Sequence, residues 1–371
     1  MEFTKKDTQA IKGVAILMMF FHHCFLKMDR FDEYGIISTP FTSQQLIYFA
    51  QFCKICVGIF VFISAYGITL SFRNKNQTYM LDKQETTALV CRRYLKMMSG
   101  YWFIFILVMA FAAVCDPGRI QEKYFKSGNM GLGIGYMFMD MLGLSKLFKT
   151  PKFIPTWWYM SLATIIVVLM PVLLRMYNRL GILLLPLCII AMRLVKLRNP
   201  AITDWFFCLT VGIIFADFAL LSKIREWAYQ KKKWFSPILK FILMTGLLVF
   251  CVVIRQSAFG GRIMEICDGI CTAVVICYCN VYLIHIRGIQ QILCLLGKYS
   301  MTMFLTHTFI RKVWLGDFTY HWKYAGLIWL SLVVTSLLLA VILDWLKEVT
   351  RYQKACDRNI ERITSCIMKS K

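Results

Sequence analysis

The chain has 371 residues, 58% of them hydrophobic, and a formal net charge of +23 at pH 7. Its mean hydropathy of +0.60 excludes a soluble globular domain of this size. The positive charge does not indicate a nucleic-acid partner, because the basic residues lie in loops between apolar segments, where the positive-inside rule predicts them. The predicted fold class is therefore all-α, a polytopic transmembrane helical bundle.

Apolar segments recur along the whole chain, and about ten of them are predicted to span a bilayer. They are residues 10–28, 53–72, 99–115, 157–174, 180–193, 204–221, 238–254, 266–285, 294–312 and 324–345. A further apolar stretch, 131–148, is rich in glycine and contains Asp140, which predicts a re-entrant or interfacial segment. No polar stretch is long enough to fold separately, so residues 1–371 are predicted to form a single membrane domain.

The distribution of lysine and arginine predicts the orientation of the chain in the cell membrane. With the short N-terminal segment 1–9 in the cytoplasm, the most basic loop, which holds the lysines at 231–233, is also cytoplasmic. The basic tail 346–371 then lies on the same side. The chain is expected to contact membrane lipids, and some of its basic residues to lie near anionic headgroups.

Two ionisable residues share one face of the first predicted helix. Lys12 and His23 are eleven residues apart, almost three turns at about 100° per residue, and so roughly 16 Å apart along the axis. Lys12 marks the cytoplasmic surface, which is also ordinary topology for a lysine. His23 lies beyond the midplane, where an ionisable group is costly. It is either a structural histidine hydrogen-bonded between helices or a group that performs proton or acyl chemistry. The adjacent His22 points roughly 100° away.

A basic segment with Arg92, Arg93 and Lys96 precedes the third predicted helix. Arg93 and Lys96 are three residues apart and therefore share a helix face. Guanidinium and ammonium groups at a helix mouth can hold phosphates. The alternative is that these residues only anchor the helix at the cytoplasmic surface.

Two further motifs lie in the second half of the chain. Trp157, Trp158 and Tyr159 begin a predicted helix at its outer end, where such residues either mark the membrane interface or stack on sugar rings. Ser300 and His307 are two turns apart on one face of a later helix. At that depth His307 needs a partner, and helix packing explains it as well as catalysis does.

No metal site and no bound cofactor are expected. The five histidines have no metal-ligand spacing, and the carboxylates within apolar segments are scattered along the chain. Cys53 and Cys56 form a single CxxC pair, a weak signal without nearby ligands.

Taken together and in this order, these motifs resemble acyltransferase family 3, whose members are integral-membrane enzymes that mostly O-acetylate surface glycans. The family pattern Arg/Lys-x10-His matches Lys12 and His23, and its Arg-x-x-Arg matches Arg93 and Lys96. Further matches are Val61-Phe62-Ile63-Ser64-Ala65-Tyr66, Trp158-Tyr159-Met160 and the stretch from Ser300 to His307. Lysine replaces arginine at positions 12 and 96, which keeps the charge but loses the bidentate fork. The glutamate that many members carry after Trp158-Tyr159 is absent.

The resemblance implies transfer of an acyl group, expected to be acetyl from acetyl-CoA, to a hydroxyl of an extracytoplasmic glycan or lipid-linked sugar. His23 would be the catalytic residue, either as general base or as transient acyl carrier. Acetyl-CoA, a donor substrate, would bind Lys12, Arg92, Arg93 and Lys96 from the cytoplasm. Trp157, Trp158, Tyr159, Ser300 and His307 would lie on the acceptor side or support the site.

The alternative function is a polytopic transporter or flippase for a surface-glycan precursor. Buried histidines and aspartates suit a proton-coupled substrate path as well as they suit an enzyme. The chain shows no paired half-sequences of the kind that inverted repeats leave, which favours the enzyme.

Overall fold

The computed structural model describes residues 3–194, 203–227 and 235–369, and it is built of helices. In those ranges the β contacts are limited to an isolated bridge between Ile37 and Tyr324. The predicted all-α class is confirmed. The lysine run at 231–233 lies outside the described residues.

The helices follow one another with short connections. The first ten are α1 (Lys5–Phe25), α2 (Asp29–Tyr34), α3 (Ser43–Phe52), α4 (Cys56–Arg73), α5 (Lys83–Cys115), α6 (Pro117–Tyr124), α7 (Met130–Met141), α8 (Ser145–Phe148), α9 (Trp158–Leu180) and α10 (Leu184–Leu194). The others are α11 (Phe206–Asp217), α12 (Leu220–Glu226), α13 (Phe235–Gln256), α14 (Ala258–Arg262), α15 (Met264–Tyr282), α16 (Arg287–Thr308), α17 (Gly316–Tyr320), α18 (Ala325–Val349) and α19 (Tyr352–Lys369). A π-helical turn, Phe309–Val313, follows α16.

Six helical segments in the described part of the chain are long and apolar enough to cross a membrane. They are Ser43–Arg73, Lys83–Cys115, Pro155–Arg193, Pro237–Gln256, Met264–Tyr282 and Ala325–Val349. A seventh is obtained if α11 and α12, which are bent by 63° relative to each other, count as one span. The chain is therefore a helical membrane protein with several candidate spans.

The predicted number of about ten spans differs from these six for identifiable reasons. The predicted spans 157–174 and 180–193 fall in the single segment Pro155–Arg193. The helices α1 and α16, with 21 and 22 residues, are long enough to cross but less apolar than the six. In α1 the polar residues are Lys12, His22 and His23 among others, so the candidate site itself lowers the hydropathy of this helix.

The chain divides into two compact units that alternate along the sequence. Unit 1 comprises residues 1–79, 173–300 and 309–337, and unit 2 comprises 80–172, 301–308 and 338–371. That residues 1–371 form one membrane domain stays a prediction.

In unit 1, α1 packs against α3, α4 and the first half of α16. Helix α1 begins at Lys5 because Thr4 and Asp7 form a capping box, in which each side chain accepts a hydrogen bond from the other's backbone N–H. Glycines then allow a very close approach to α16. A Cβ at Gly13 would lie 2.1 Å from the carbonyl oxygen of Leu293, and a Cβ at Gly297 1.8 Å from that of Gln9. Only glycine permits these backbones to touch.

Unit 1 also contains a buried ion pair. The Arg255 guanidinium donates to Asp268 at 2.6 Å and to the carbonyl oxygen of Gln51 at 2.9 Å. Both charged side chains are almost fully buried. A buried pair of this kind is costly to break, because the remaining charge would be left without compensation. Asp268, one of the scattered carboxylates, thus has a structural partner.

In unit 2, the buried carboxylate of Asp140 holds the segment between α5 and α9 together. It accepts hydrogen bonds from the Tyr124 hydroxyl at 2.6 Å, the Ser145 hydroxyl at 3.0 Å and the Phe153 backbone N–H at 2.8 Å. Burial raises the pKa of Asp140, and these hydrogen bonds act in the opposite direction. The predicted segment 131–148 is helix α7 followed by a turn and the short helix α8.

Candidate active site

Lys12 and His23 lie in one uninterrupted helix, α1, which places them on the same face as the spacing requires. Both side chains are half-buried. Lys12 is adjacent to Gly13, so it lies where α1 approaches α16 most closely. His23 lies in the last turn of α1.

His22 has a structural role that distinguishes it from its neighbour. Its Nδ1 lies 2.7 Å from the carbonyl oxygen of Ala50 at the end of α3, so the imidazole links α1 to α3. The two histidine rings meet edge to face at 5.2 Å. A second link fixes the other side of the helix, where the Trp329 indole donates to the carbonyl oxygen of Leu17 at 3.1 Å. These two contacts fix the orientation of α1 about its helix axis.

Two arginines from elements that follow α1 in the chain lie near its C-terminal end. Arg30 donates to the carbonyl oxygens of His23 and Cys24, the latter at 3.1 Å. Arg311, in the π-helical turn, is 5% exposed, and its charge acts on both Arg30 and Cys24. The Tyr320 hydroxyl interacts with both guanidinium groups. Sequence reasoning missed this cluster. The available signal was an arginine four residues after His307, inside the predicted span 294–312.

Three of the four predicted donor-binding residues lie on α5, in unit 2, and the fourth, Lys12, lies on α1 in unit 1. Arg92 and Lys96 are exposed and Arg93 is half-buried. Helix α19 packs along this part of α5. Its Tyr352 hydroxyl donates to the carbonyl oxygen of Ser99 at 2.9 Å, and Glu361 lies 4.0 Å from Arg92. The basic tail is therefore an ordered helix beside the predicted donor residues.

Of the aromatic motif, Trp157 is a buried core residue. Its indole donates to the carbonyl oxygen of Leu305 at 3.1 Å, and its ring packs on those of Tyr101 and Phe105. Trp158 and Tyr159 are half-buried, and Tyr159 meets the Phe304 ring at 5.5 Å.

His307 is fully buried in unit 2 and hydrogen-bonded on both ring nitrogens. Nδ1 lies 2.7 Å from the carbonyl oxygen of Phe304, and Nε2 lies 3.2 Å from the Thr308 hydroxyl. That hydroxyl is 3.1 Å from the hydroxyl of Thr156. The structure thus brings the aromatic motif and the His307 segment together through side-chain contacts. Ser300, two turns earlier in α16, donates to the carbonyl oxygen of Gly297 at 2.9 Å.

No group of three or more histidine, cysteine, aspartate or glutamate residues that could hold a metal ion occurs within the described ranges. Lys12, His23 and Ser300 belong to unit 1. The α5 basic residues, the aromatic motif and His307 belong to unit 2. The roles assigned to all these residues stay predictions.

The sequence also matches a known protein family. A model of the acyltransferase domain matches residues 7–345, most of the chain. The chain belongs to acyltransferase family 3. No curated protein and no solved structure matches it significantly. Family membership gives the chain acyltransferase activity in general and disfavours the transporter alternative. Helix α19 lies beyond the matched residues.

Proposed function

We propose that this member of acyltransferase family 3 transfers an acetyl group from cytoplasmic acetyl-CoA to a hydroxyl of an extracytoplasmic glycan or lipid-linked sugar. We place it in the cell membrane with both termini in the cytoplasm. In this proposal α1 and α16 also cross the bilayer, which brings the number of crossings towards ten. The observation that carries the proposal is the pairing of Lys12 and His23 on one face of α1, in a chain that matches the family over residues 7–345.

His23 is the group that performs the chemistry in this account. As a general base, its neutral imidazole takes the proton of the acceptor hydroxyl while the hydroxyl oxygen attacks the thioester carbonyl. The carbon–sulfur bond breaks, and the leaving thiolate of CoA takes the proton back from the imidazolium. As an acyl carrier, the imidazole nitrogen attacks the thioester carbonyl, the carbon–sulfur bond breaks, and the CoA thiolate leaves with the imidazole proton. The acceptor hydroxyl then attacks the acetyl carbon, the carbon–nitrogen bond breaks, and the hydroxyl proton goes to the imidazole. Trapping of an acetylated His23 after incubation with acetyl-CoA alone distinguishes the second route from the first.

The basic residues support donor binding. CoA carries several phosphate charges, and Arg92, Arg93 and Lys96 place three cationic groups on one stretch of α5. Lys12 adds a fourth at the predicted cytoplasmic end of α1.

Mass spectrometry of surface glycans from matched cells with and without the gene tests the proposed reaction. We expect one glycan or lipid-linked sugar to carry an additional acetyl mass only when the gene is present, and the modified hydroxyl identifies the acceptor. Identical glycan masses in the two strains, with the protein present in the membrane, would contradict the proposal.

A further inference from the structure

Two guanidinium groups, those of Arg30 and Arg311, lie near the end of α1 around the Tyr320 hydroxyl, which is 3.5 Å from the carbonyl oxygen of Cys24. Neither Arg30 nor Arg311 has a carboxylate within ion-pair distance in the part of the chain that the structure describes. Arg311 is 5% exposed, and its Nε is buried with no hydrogen-bond partner among the described residues. Burial lowers the pKa of Arg30, and the nearby charge of Arg311 lowers it further.

Such an arrangement is unfavourable unless something compensates it. An uncompensated buried charge is among the most costly features of a fold, and a like charge beside it adds repulsion. Arg30 is partly compensated, because it donates to the last carbonyl groups of α1, where the helix dipole is negative. Arg311 has the Tyr320 hydroxyl beside it but no ion pair among the described residues, so a bound anion would compensate its charge.

The surroundings of Arg311 indicate a built site. The π-helical turn that carries it, Phe309–Val313, is a rare conformation that is enriched at functional sites. Tyr320 is held in place by stacking on Tyr34 at 4.2 Å, with an angle of 15° between the rings. Backbone hydrogen bonds from Ile37 to Lys323 and from Ala325 to Ile37 fix the segment that follows Tyr34 at the end of α2.

We propose that Arg30 and Arg311 bind an oxyanion of the acceptor, either a carboxylate of an acidic sugar or a phosphate that joins the sugar to its carrier. The proposal rests on the proposed function, since the ligand is placed on the acceptor substrate. Arg30 is bonded to the carbonyl of His23 itself, so a bound anion lies at the same end of α1 as the proposed catalytic residue. Planar guanidinium groups bind both carboxylate and phosphate in bidentate geometry. The site thereby selects acidic acceptors.

The test is anion binding to the purified full-length protein in detergent, followed by thermal unfolding at constant ionic strength. Sodium glucuronate and inorganic phosphate are the two probes, with glucose as the uncharged control. A ligand that binds only the folded state raises the unfolding temperature. We expect at least one of the two anions, and not glucose, to do so in the wild-type protein. Stabilisation by glucuronate alone identifies an acidic sugar, and stabilisation by phosphate alone identifies a phosphate-linked acceptor.

Two variants of Arg311 and one control variant test whether the effect depends on this arginine. Arg311→Gln should abolish the anion effect, and Arg311→Lys, which keeps the charge but loses the fork, should weaken binding about tenfold or more. Lys27→Gln is the matched control, because it removes one charge from an exposed residue just before α2, the helix that carries Arg30, and should leave binding unchanged. If Arg311→Gln does not fold, the lysine variant carries the test. Absence of any anion effect in the wild type, or an equal effect in the lysine variant, overturns the proposal.

Acetyl transfer measured in parallel separates this inference from the proposed function. Loss of the anion site with His23-dependent transfer intact would refute the Arg30–Arg311 pair alone. If the protein binds the anion but transfers no acetyl group, the anion site stands and the proposed function is refuted.

Discussion

Polar residues in the apolar part of this chain have structural roles that depend on partners in other elements of the fold. Asp140, Asp217 and Asp268 are scattered carboxylates in the sequence. In the structure, however, each accepts defined hydrogen bonds, Asp217 from the hydroxyls of Tyr79 and Tyr177. The spacing of Lys12 and His23 could be read because both lie on one helix. The partners of the aspartates could not be predicted from the sequence, because tertiary packing determines them.

Replacement of Asp140 tests its structural role. In Asp140→Ala the Tyr124 hydroxyl, the Ser145 hydroxyl and the Phe153 N–H lose their common acceptor. An unsatisfied buried group costs about 1–3 kcal/mol, so thermal unfolding should show a clear loss of stability. Glu122→Gln, which removes an exposed carboxylate on α6, should change little. Equal stability of the two variants would show that the Asp140 network does not stabilise unit 2.

The pH dependence of the same site has a defined sign. Burial raises the pKa of Asp140 in the folded state above its value in the unfolded chain. The folded state therefore binds more protons between these two pKa values, and its stability falls as pH rises through that window. The side chain in Asp140→Asn does not titrate. As pH rises, the free energy of unfolding of this variant should therefore increase relative to that of the wild type. Thermal unfolding of both proteins across the acidic range measures the difference, and a constant difference would contradict it.

At the scale of elements, helix periodicity in the apolar segments was predictable and helix packing was not. The tail 346–371 reads as a basic tail, yet Tyr352, Cys356, Ile360 and Thr364 recur every four residues and form the packed face of α19. That pattern was present in the sequence, but α5 as its partner follows only from the fold. The same is true of Gly13 and Gly297, whose closeness to another backbone is visible only in three dimensions.

Removal of α19 tests whether it positions the donor-binding stretch of α5. Deletion from residue 352 onward removes the Tyr352 hydrogen bond and uncovers the ring of Phe103, which lies 5.0 Å from that of Tyr352. We expect several-fold weaker acetyl-CoA binding in equilibrium titration, because α5 loses its support. Glu361→Gln removes only an exposed ion pair and should cost little. Unchanged donor affinity in the truncated, folded protein would contradict a positioning role for α19.

At the scale of the whole molecule, composition and the order of motifs predicted a helical membrane acyltransferase, and the family match agrees. The number of spans could not be read as securely, since α1 and α16 carry polar residues that lower their hydropathy. Arg311 shows the same limit. An arginine at the end of an apolar segment is ordinary topology until its burial and its lack of an ion pair among the described residues are known.

The predicted orientation can be tested with natural cysteines. Cys115 and Cys366 are exposed, at the predicted outer end of α5 and on the cytoplasmic tail helix respectively. In intact cells a membrane-impermeant thiol reagent should label Cys115, and peptide mass mapping should find Cys366 labelled only after permeabilisation. The reverse pattern would place the donor side outside.

The most direct test of the account is acetyl transfer by His23→Ala beside His22→Ala, with activity normalised to folded protein in the membrane. Loss of a positioned acid–base group lowers the rate by about 10²- to 10⁴-fold. We therefore expect His23→Ala to be present in normal amount, to bind acetyl-CoA and to transfer almost no acetyl group. His22→Ala loses the bond to Ala50 but should retain substantial activity. Near-normal transfer by well-folded His23→Ala would contradict the mechanism.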